Sequence, residues 1–188
     1  MIKTEMMLKG IKRKKIEKLF EVYDANGNGH LDMNDAVVLT DRFSLEFGWP
    51  KGGYADSKFK AAFFKIWTRM FREADVNHDR MVSKQEFLNY FERATEDDAH
   101  FYVHIKPILD ELFPVLDSNN DGLLTKTDYK AFYRACNNTD DDAEFAFSSM
   151  DINKDGVISH FEFYNMMYHF YMSGNPKHNS RNFFGRIK

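Results

Sequence analysis

Apolar residues fall at helical spacing along most of the chain, in stretches separated by short polar segments. Ile16, Leu19, Phe20 and Tyr23 form one stripe. Phe59, Phe63, Ile66, Trp67, Met70 and Phe71 form a second, Ile105, Ile108, Leu109, Leu112, Phe113 and Leu116 a third, and Ala143, Phe147 and Met150 a fourth. Further stripes run through Phe87, Tyr90 and Phe91, through Tyr129, Phe132 and Tyr133, and through Phe163, Met166, Met167 and Phe170. The i, i+3, i+4 period predicts amphipathic helices, each with one face in a core. Pro107 and Pro114 predict a kink or a late start in the helix over 105–116. Trp49-Pro50-Lys51-Gly52-Gly53 predicts a turn between two helices.

The polar segments between stripes repeat a twelve-residue pattern. DANGNGHLDMND opens at residue 24, DVNHDRMVSKQE at 75, DSNNDGLLTKTD at 117 and DINKDGVISHFE at 151. Ca²⁺ takes six to eight oxygens at about 2.3–2.6 Å, and a loop wraps the ion by turning alternate side chains inward. The candidate ligands in the first loop are Asp24, Asn26, Asn28, the carbonyl of His30, Asp32 and Asp35. In the second they are Asp75, Asn77, Asp79, the carbonyl of Met81, Ser83 and Glu86. Asp117, Asn119, Asp121, Leu123 by its carbonyl, Thr125 and Asp128 form the third set. Asp151, Asn153, Asp155, Val157 by its carbonyl, Ser159 and Glu162 form the fourth. Ordinary Asn/Asp/Gly turns are the plain alternative for any one segment, but four in register between amphipathic helices are EF-hand loops. The eighth residues, Leu31, Val82, Leu124 and Ile158, are expected to meet in short antiparallel bridges, first loop with second and third with fourth.

Each loop carries three acids, so the twelfth residue ranks them. Glu86 and Glu162 reach far enough to bind through both oxygens. Asp35 and Asp128 are a methylene shorter and bring the coordination number toward the six of Mg²⁺, so loops 24–35 and 117–128 are expected to accept Mg²⁺ in competition with Ca²⁺. Arg80 stands where the second loop calls for glycine at positive φ, which weakens that site without removing any oxygen ligand. Three to four Ca²⁺ sites follow.

Composition narrows the class. The chain has 188 residues, 16% aromatic, with 19 Phe, which excludes a disordered chain and suits one substantial core or two small ones. No apolar run approaches the ~18 residues of a membrane span. Met1-Ile2-Lys3-Thr4-Glu5 has neither a signal-peptide core nor a glycine for myristoylation, and the single cysteine, Cys136, fits a reducing compartment, so a cytoplasmic location is expected. Formal charge is −3, from 26 basic and 29 acidic residues. The loops hold 12 of those acids; with these set aside all other charges sum to +9, and four Ca²⁺ ions bring the whole to +5. No nucleic-acid partner is indicated.

The chain resembles the sarcoplasmic calcium-binding proteins and their relative calexcitin. The likeness rests on the four loops, on Gly48-Trp49-Pro50 followed by Lys65-Ile66-Trp67, and on the tail from Phe170-Tyr171-Met172-Ser173 through Asn182-Phe183-Phe184-Gly185. The resemblance implies an all-α monomer of two EF-hand pairs packed into one compact globule, 1–95 and 96–172, with the tail 173–188 folded onto the core. It implies cytosolic Ca²⁺ binding with Mg²⁺ competition. Members commonly have a disabled loop, often the fourth, whereas Asp151, Asn153, Asp155, Ser159 and Glu162 are intact.

Buffering is the expected function. A Ca²⁺ sensor that opens an apolar groove is the alternative, although Phe and Tyr outnumber the 10 Met, and Phe183 and Phe184 could plug a groove. A luciferin-binding protein or photoprotein is a further reading, with Trp49, Trp67, Tyr168, His169 and Tyr171 as candidate lining. No enzyme motif is present, Cys136 lies in register with the core residue Phe132, and His100 and His104, four apart, lack a third zinc ligand. Residues 9–18 hold six basic side chains and one Glu. This helix either presents a solvated face or contacts an anionic membrane or target.

Overall fold

The computed structural model describes residues 8–187; the reading of Met1 to Glu5 lies outside the described residues. The elements are helices α1 (Gly10–Tyr23), α2 (Met33–Glu46), α3 (Tyr54–Ala74), α4 (Lys84–Ala94), α5 (Asp98–His104), α6 (Lys106–Leu116), α7 (Lys126–Ala135), α8 (Asp140–Met150) and α9 (His160–Met172). Four two-residue strands sit between them, β1 (His30–Leu31), β2 (Val82–Ser83), β3 (Leu123–Leu124) and β4 (Ile158–Ser159), and a 3₁₀ turn covers Asn179–Asn182. The fold is all-α, with strands only where loops meet.

Those strands pair as the eighth loop positions require. β1 runs antiparallel to β2 with Leu31 opposite Val82, and β3 to β4 with Leu124 opposite Ile158. All four of these side chains are fully buried, so each bridge is also part of the core beneath its two loops. The residue after each eighth loop position caps a helix. Asp32, Ser83, Thr125 and Ser159 are N-caps of α2, α4, α7 and α9, each completed as a capping box by the acid three residues on.

The helix expected over 105–116 starts late, at Lys106, and a separate short helix precedes it. α5 stops at His104, Ile105 is shared as cap, and α6 restarts with Pro107 in its first turn, where a missing N–H is tolerated. Pro114 lies within α6 and does not end it. The Trp49–Gly53 segment turns between α2 and α3 as its composition predicts. Its Gly53 carries no room for a side chain, because a Cβ there would lie 2.9 Å from Pro50 O.

One aromatic core runs through both halves. Trp67 stacks between Phe63 and Phe71 along α3, and Phe43 of α2 meets Phe132 of α7 with ring centroids 6.1 Å apart. α2 packs along α7, and Arg134 of α7 ties them at the rim through Glu46 Oε2 (2.6 Å) while also bonding Asp140. The tail returns to the interior: Phe183 and Phe184 are buried against Phe132, Phe163 and Phe170.

Two buried charges hold helix ends in place. Lys15 is 1% exposed, so it does not belong to the solvated basic face expected of the N-terminal helix. Its Nζ donates to His169 O (3.0 Å), which also accepts the Ser173 N–H, and to Ser173 O (2.7 Å), tying α1 to the end of α9. Asp56 in the first turn of α3 accepts from Ser44 Oγ (2.5 Å) and Gly52 N (2.8 Å) and pairs with Lys60. These bonds, with the Ser44 hydroxyl foremost, hold its carboxyl down at about 2. Stability from this lowered carboxyl is complete above its ordinary value near 3.8 and is lost as pH falls through about 2. Asp56→Asn should therefore lower the melting temperature at pH 7, and the gap from the parent should narrow as pH falls below about 4 and close near pH 2. Thermal melts across that range measure it.

Candidate metal centres

Four loops lie at the ends of the two strand bridges and share one hydrogen-bond scheme. The first Asp of each accepts the N–H of the sixth residue: Gly29 to Asp24 Oδ2 (2.9 Å), Arg80 to Asp75 (3.1 Å), Gly122 to Asp117 (2.9 Å) and Gly156 to Asp151 (3.0 Å). The third residue accepts from the fifth, as Asn28 N to Asn26 Oδ1 (2.9 Å), and the same bond recurs at Asn77, Asn119 and Asn153. The fifth accepts from the seventh: His30 N to Asn28, Met81 N to Asp79, Leu123 N to Asp121 and Val157 N to Asp155, all within 2.8–3.0 Å. Main-chain N–H groups thus engage the outer lone pairs of the short side chains at positions 1, 3 and 5. Each such oxygen keeps a second lone pair for another partner.

The backbone follows glycine rules at two positions. Position 6 is left-handed in every loop, with Gly29, Gly122 and Gly156 at φ of 83–87° and Arg80 at 68°. Arg80 keeps the same N–H contact as the glycines, so the second loop has the same path at the expense of strain. Position 4 is left-handed as well, occupied by Gly27, His78, Asn120 and Lys154. Sequence reasoning missed this second turn; the Gly and Asn found there were its only signal.

The twelfth residue closes each loop by bridging its two ends. Asp35 accepts Asn26 N with Oδ1 (3.1 Å) and Asp32 N with Oδ2 (2.9 Å). Glu86 accepts Val76 N (3.3 Å) and Ser83 N (2.9 Å), and Glu162 accepts Ile152 N and Ser159 N, each at 2.9 Å. Asp128 accepts Thr125 N (2.9 Å) with one oxygen and Ser118 Oγ (2.5 Å) with the other. Glu162 also accepts Asn153 N (3.4 Å), the third-residue donor that Asp35 uses, whereas Asp128 reaches the loop start through a side-chain hydroxyl. Burial raises the Asp35 carboxyl above its usual range, with Asp32 and Asp24 adding to the effect. Burial also pushes Glu86 and Glu162 upward, but the Ser83 and Ser159 N–H and hydroxyl groups and the loop-start N–H groups outweigh it, and both end below the ordinary range.

The second loop differs in one atom. In the other loops Oδ1 of the first Asp accepts the N–H of the fifth residue, at 3.0–3.3 Å. Asp75 Oδ1 is buried with no hydrogen-bond partner. A buried carboxylate oxygen left bare is unfavourable unless a cation faces it, so the residues of this loop fit a hard divalent ion. Counting only His, Cys, Asp and Glu, no group of three among the described residues forms a metal cluster. The loops instead mix carboxylates with Asn amides and main-chain carbonyls, an oxygen set suited to Ca²⁺ or Mg²⁺ rather than to softer metals. His100 and His104 share a face of α5 with near-parallel rings, but Nδ1 of each faces a carboxylate, Asp97 at 2.8 Å and Glu73 at 2.9 Å. They join no three-ligand group. Cys136 is buried, and burial pushes its thiol up to about 12, which removes it as a nucleophile.

A family model described as the EF-hand domain pair matches residues 13–92 and 108–168. Calerythrin of Saccharopolyspora erythraea is 24% identical over 155 residues, covering 81% of this chain and 88% of its own. The sarcoplasmic calcium-binding protein of Scylla paramamosain is 25% identical over 177 residues, covering 89% and 91%. Among solved structures, the coelenterazine-binding protein of Renilla muelleri in its Ca-loaded apo form superposes with a TM-score of 0.76 at 18% identity, over 95% of this chain and 99% of that one.

Each closing carboxylate is also the third residue of a helix, so the loop and the helix start share one set of bonds. Thr125→Ala removes the side-chain acceptor for Asp128 N (3.2 Å) and the hydroxyl bonded to Asp128 Oδ2. The variant should lose about 1 kcal/mol of stability in chelator, a typical N-cap loss, as measured by urea unfolding.

Proposed function

The chain belongs to the EF-hand family of calcium-binding proteins and is related to the sarcoplasmic calcium-binding proteins; from that premise we propose that it acts as a Ca²⁺/Mg²⁺ buffer. All four loops are read as sites. Their ligands are the side chains at positions 1, 3, 5, 9 and 12 and the carbonyl at position 7, with position 9 acting through water where it is too short. When bound, the ion supplies the charge that offsets the three acids gathered in each loop. Asp35 and Asp128 close the first and third loops with shorter side chains, and these two are the sites proposed to exchange Ca²⁺ for Mg²⁺. The protein is read as a cytoplasmic monomer with Ca²⁺ as its ligand. Among the described residues no helix is long and apolar enough to cross a membrane.

One observation carries the choice of buffer over sensor. A sensor exposes an apolar groove for a target helix. Here the aromatic surface between the third and fourth EF-hands is filled by the chain's own Phe183 and Phe184. Polar bonds to main-chain carbonyls fasten them: Tyr133 Oη to Asn182 O (2.5 Å), Tyr129 Oη to Phe183 O (3.5 Å) and Asn138 Nδ2 to Phe184 O (3.1 Å). Gly185 follows at φ 112°, and a Cβ there would collide with Asn138 Oδ1. The plug therefore has both a shaped seat and a backbone that only glycine accommodates.

The likeness to a coelenterazine-binding protein is one of fold. The hollow between the halves, lined by Tyr23, Phe43, Phe63, Phe132, Met167 and Tyr171 among others, holds about 40 Å³. Pockets for a drug-sized ligand run from about 300 Å³ upward. The interior favours packing over ligand storage.

Calorimetric Ca²⁺ titration with and without Mg²⁺, joined to an apolar-surface dye at pH 7.5, tests the proposal. Weakened Ca²⁺ binding in Mg²⁺ and little change in dye signal are expected. A large Ca²⁺-induced gain in dye binding would reject buffering in favour of sensing. In the same assay Arg80→Gly should tighten the second site roughly five-fold, the equivalent of about 1 kcal/mol of relieved strain.

A further inference from the structure

One imidazole stands where the tail turns into the core. His178 is the N-cap of the 3₁₀ turn over Asn179–Asn182, the turn that delivers Asn182, Phe183 and Phe184 to their seats. Its Nδ1 accepts the backbone N–H of Ser180 at 3.2 Å and lies 2.9 Å from Ser180 Oγ. A main-chain N–H can only donate, so Nδ1 carries no proton and the ring is neutral, with its hydrogen on Nε2. Ser180 is 1% exposed, so a lost bond at its N–H is not replaced by bulk water.

Two basic groups bear on the ring. The His169 ring of α9 lies with its centroid 4.4 Å away, and Lys15 of α1 presses its Nζ onto the His169 and Ser173 carbonyls. These two are the basic groups set against His178, with Lys12 of α1 next to Lys15. Arg181, on the turn itself, is directed at Pro176 O (2.8 Å). Burial, and then His169 and Lys15, lower the proton affinity of His178 below that of a free imidazole.

We propose that His178 is a proton-operated latch on the C-terminal tail: neutral, it caps the turn and keeps Phe183 and Phe184 docked, and protonated, it releases them. The proton goes onto Nδ1, which turns from acceptor to donor and faces the Ser180 N–H head on. A positive charge then stands at the N-terminal end of the turn, beside Lys15 and His169, where all the local electrostatics oppose it. The groove freed by the departing tail is lined by Phe132, Phe163 and Phe170, so acidification would give the protein an apolar surface that Ca²⁺ alone does not. This inference rests on the buffer reading, in which the tail occupies the groove.

The docked state holds His178 with a lowered proton affinity, so docking is at full strength above the free imidazole value of about 6.5 and weakens as pH falls below it. The test keeps Ca²⁺ saturating throughout and follows dye binding from pH 7.5 to 5.5. In the parent the undocking constant should rise, by up to about ten-fold at pH 5.5, the limit set by a free imidazole near 6.5. In His178→Asn, whose amide oxygen can still accept the Ser180 N–H but does not titrate, the response should be flat. An equal acid response in both, or none in the parent, overturns the latch. As a readout needing no variant, hydrogen exchange at the Phe183 and Phe184 amides, corrected for intrinsic pH dependence, should quicken in step with the NMR titration of His178; exchange that ignores that titration also overturns it. The buffer reading fails separately, on Ca²⁺-induced dye binding at pH 7.5.

Discussion

The carboxylate at the twelfth position of each loop accepts the N–H of the ninth residue with one oxygen and reaches back to the loop's second or third residue with the other. It is at once the acid of a capping box, the clasp of the loop and a candidate metal ligand. Because the ninth residue also ends a strand or caps a helix, moving this one group moves strand bridge, helix axis and binding site together. That constraint explains why the strands are only two residues long. They need only hold two loops back to back, and helices carry everything else.

From these clasps the helices are aimed into a shared interior. The exit helices of the two Asp-closed loops, α2 and α7, pack along each other, through Phe43 and Phe132 inside and Glu46 and Arg134 at the rim. The two sites with the shorter closing side chain are thus mechanically adjacent through their helices, although the loops pair with the other partners. The chain's ends complete the packing. Lys15 of α1 caps α9, and the tail after α9 fills the remaining aromatic surface, so a single interior spans both EF-hand pairs.

Much of this was legible because the loop pattern is local. A twelve-residue segment contains its own candidate ligands, its turn glycines and the cap of the helix that follows, so Asp24 through Asp35 can be read with no knowledge of neighbours. The bridges were legible for a related reason: one aliphatic residue per loop, at a fixed position, has only its counterpart to face. The late start of the helix over 105–116 was legible, since Pro107 announces it, but not that a separate short helix, Asp98–His104, precedes it. Position 4 of the loops stayed hidden because His78 and Lys154 adopt a left-handed backbone that their side chains do not advertise.

By itself the sequence determined the helix pattern, the four oxygen-rich loops, their pairing and the difference between Asp- and Glu-closed sites, because each follows from contacts within about a dozen residues or from a periodicity. Tertiary structure alone decided the rest. A run of six basic residues gives no sign that Lys15 is buried while its neighbours are not, since that depends on the end of α9, some 150 residues away. The same holds for Asp75 Oδ1, bare because one N–H lies out of reach, and for His178, whose meaning comes from Ser180, His169 and Lys15 meeting at one point. Long-range polar contacts obey no period, and only the assembled core brings their members together.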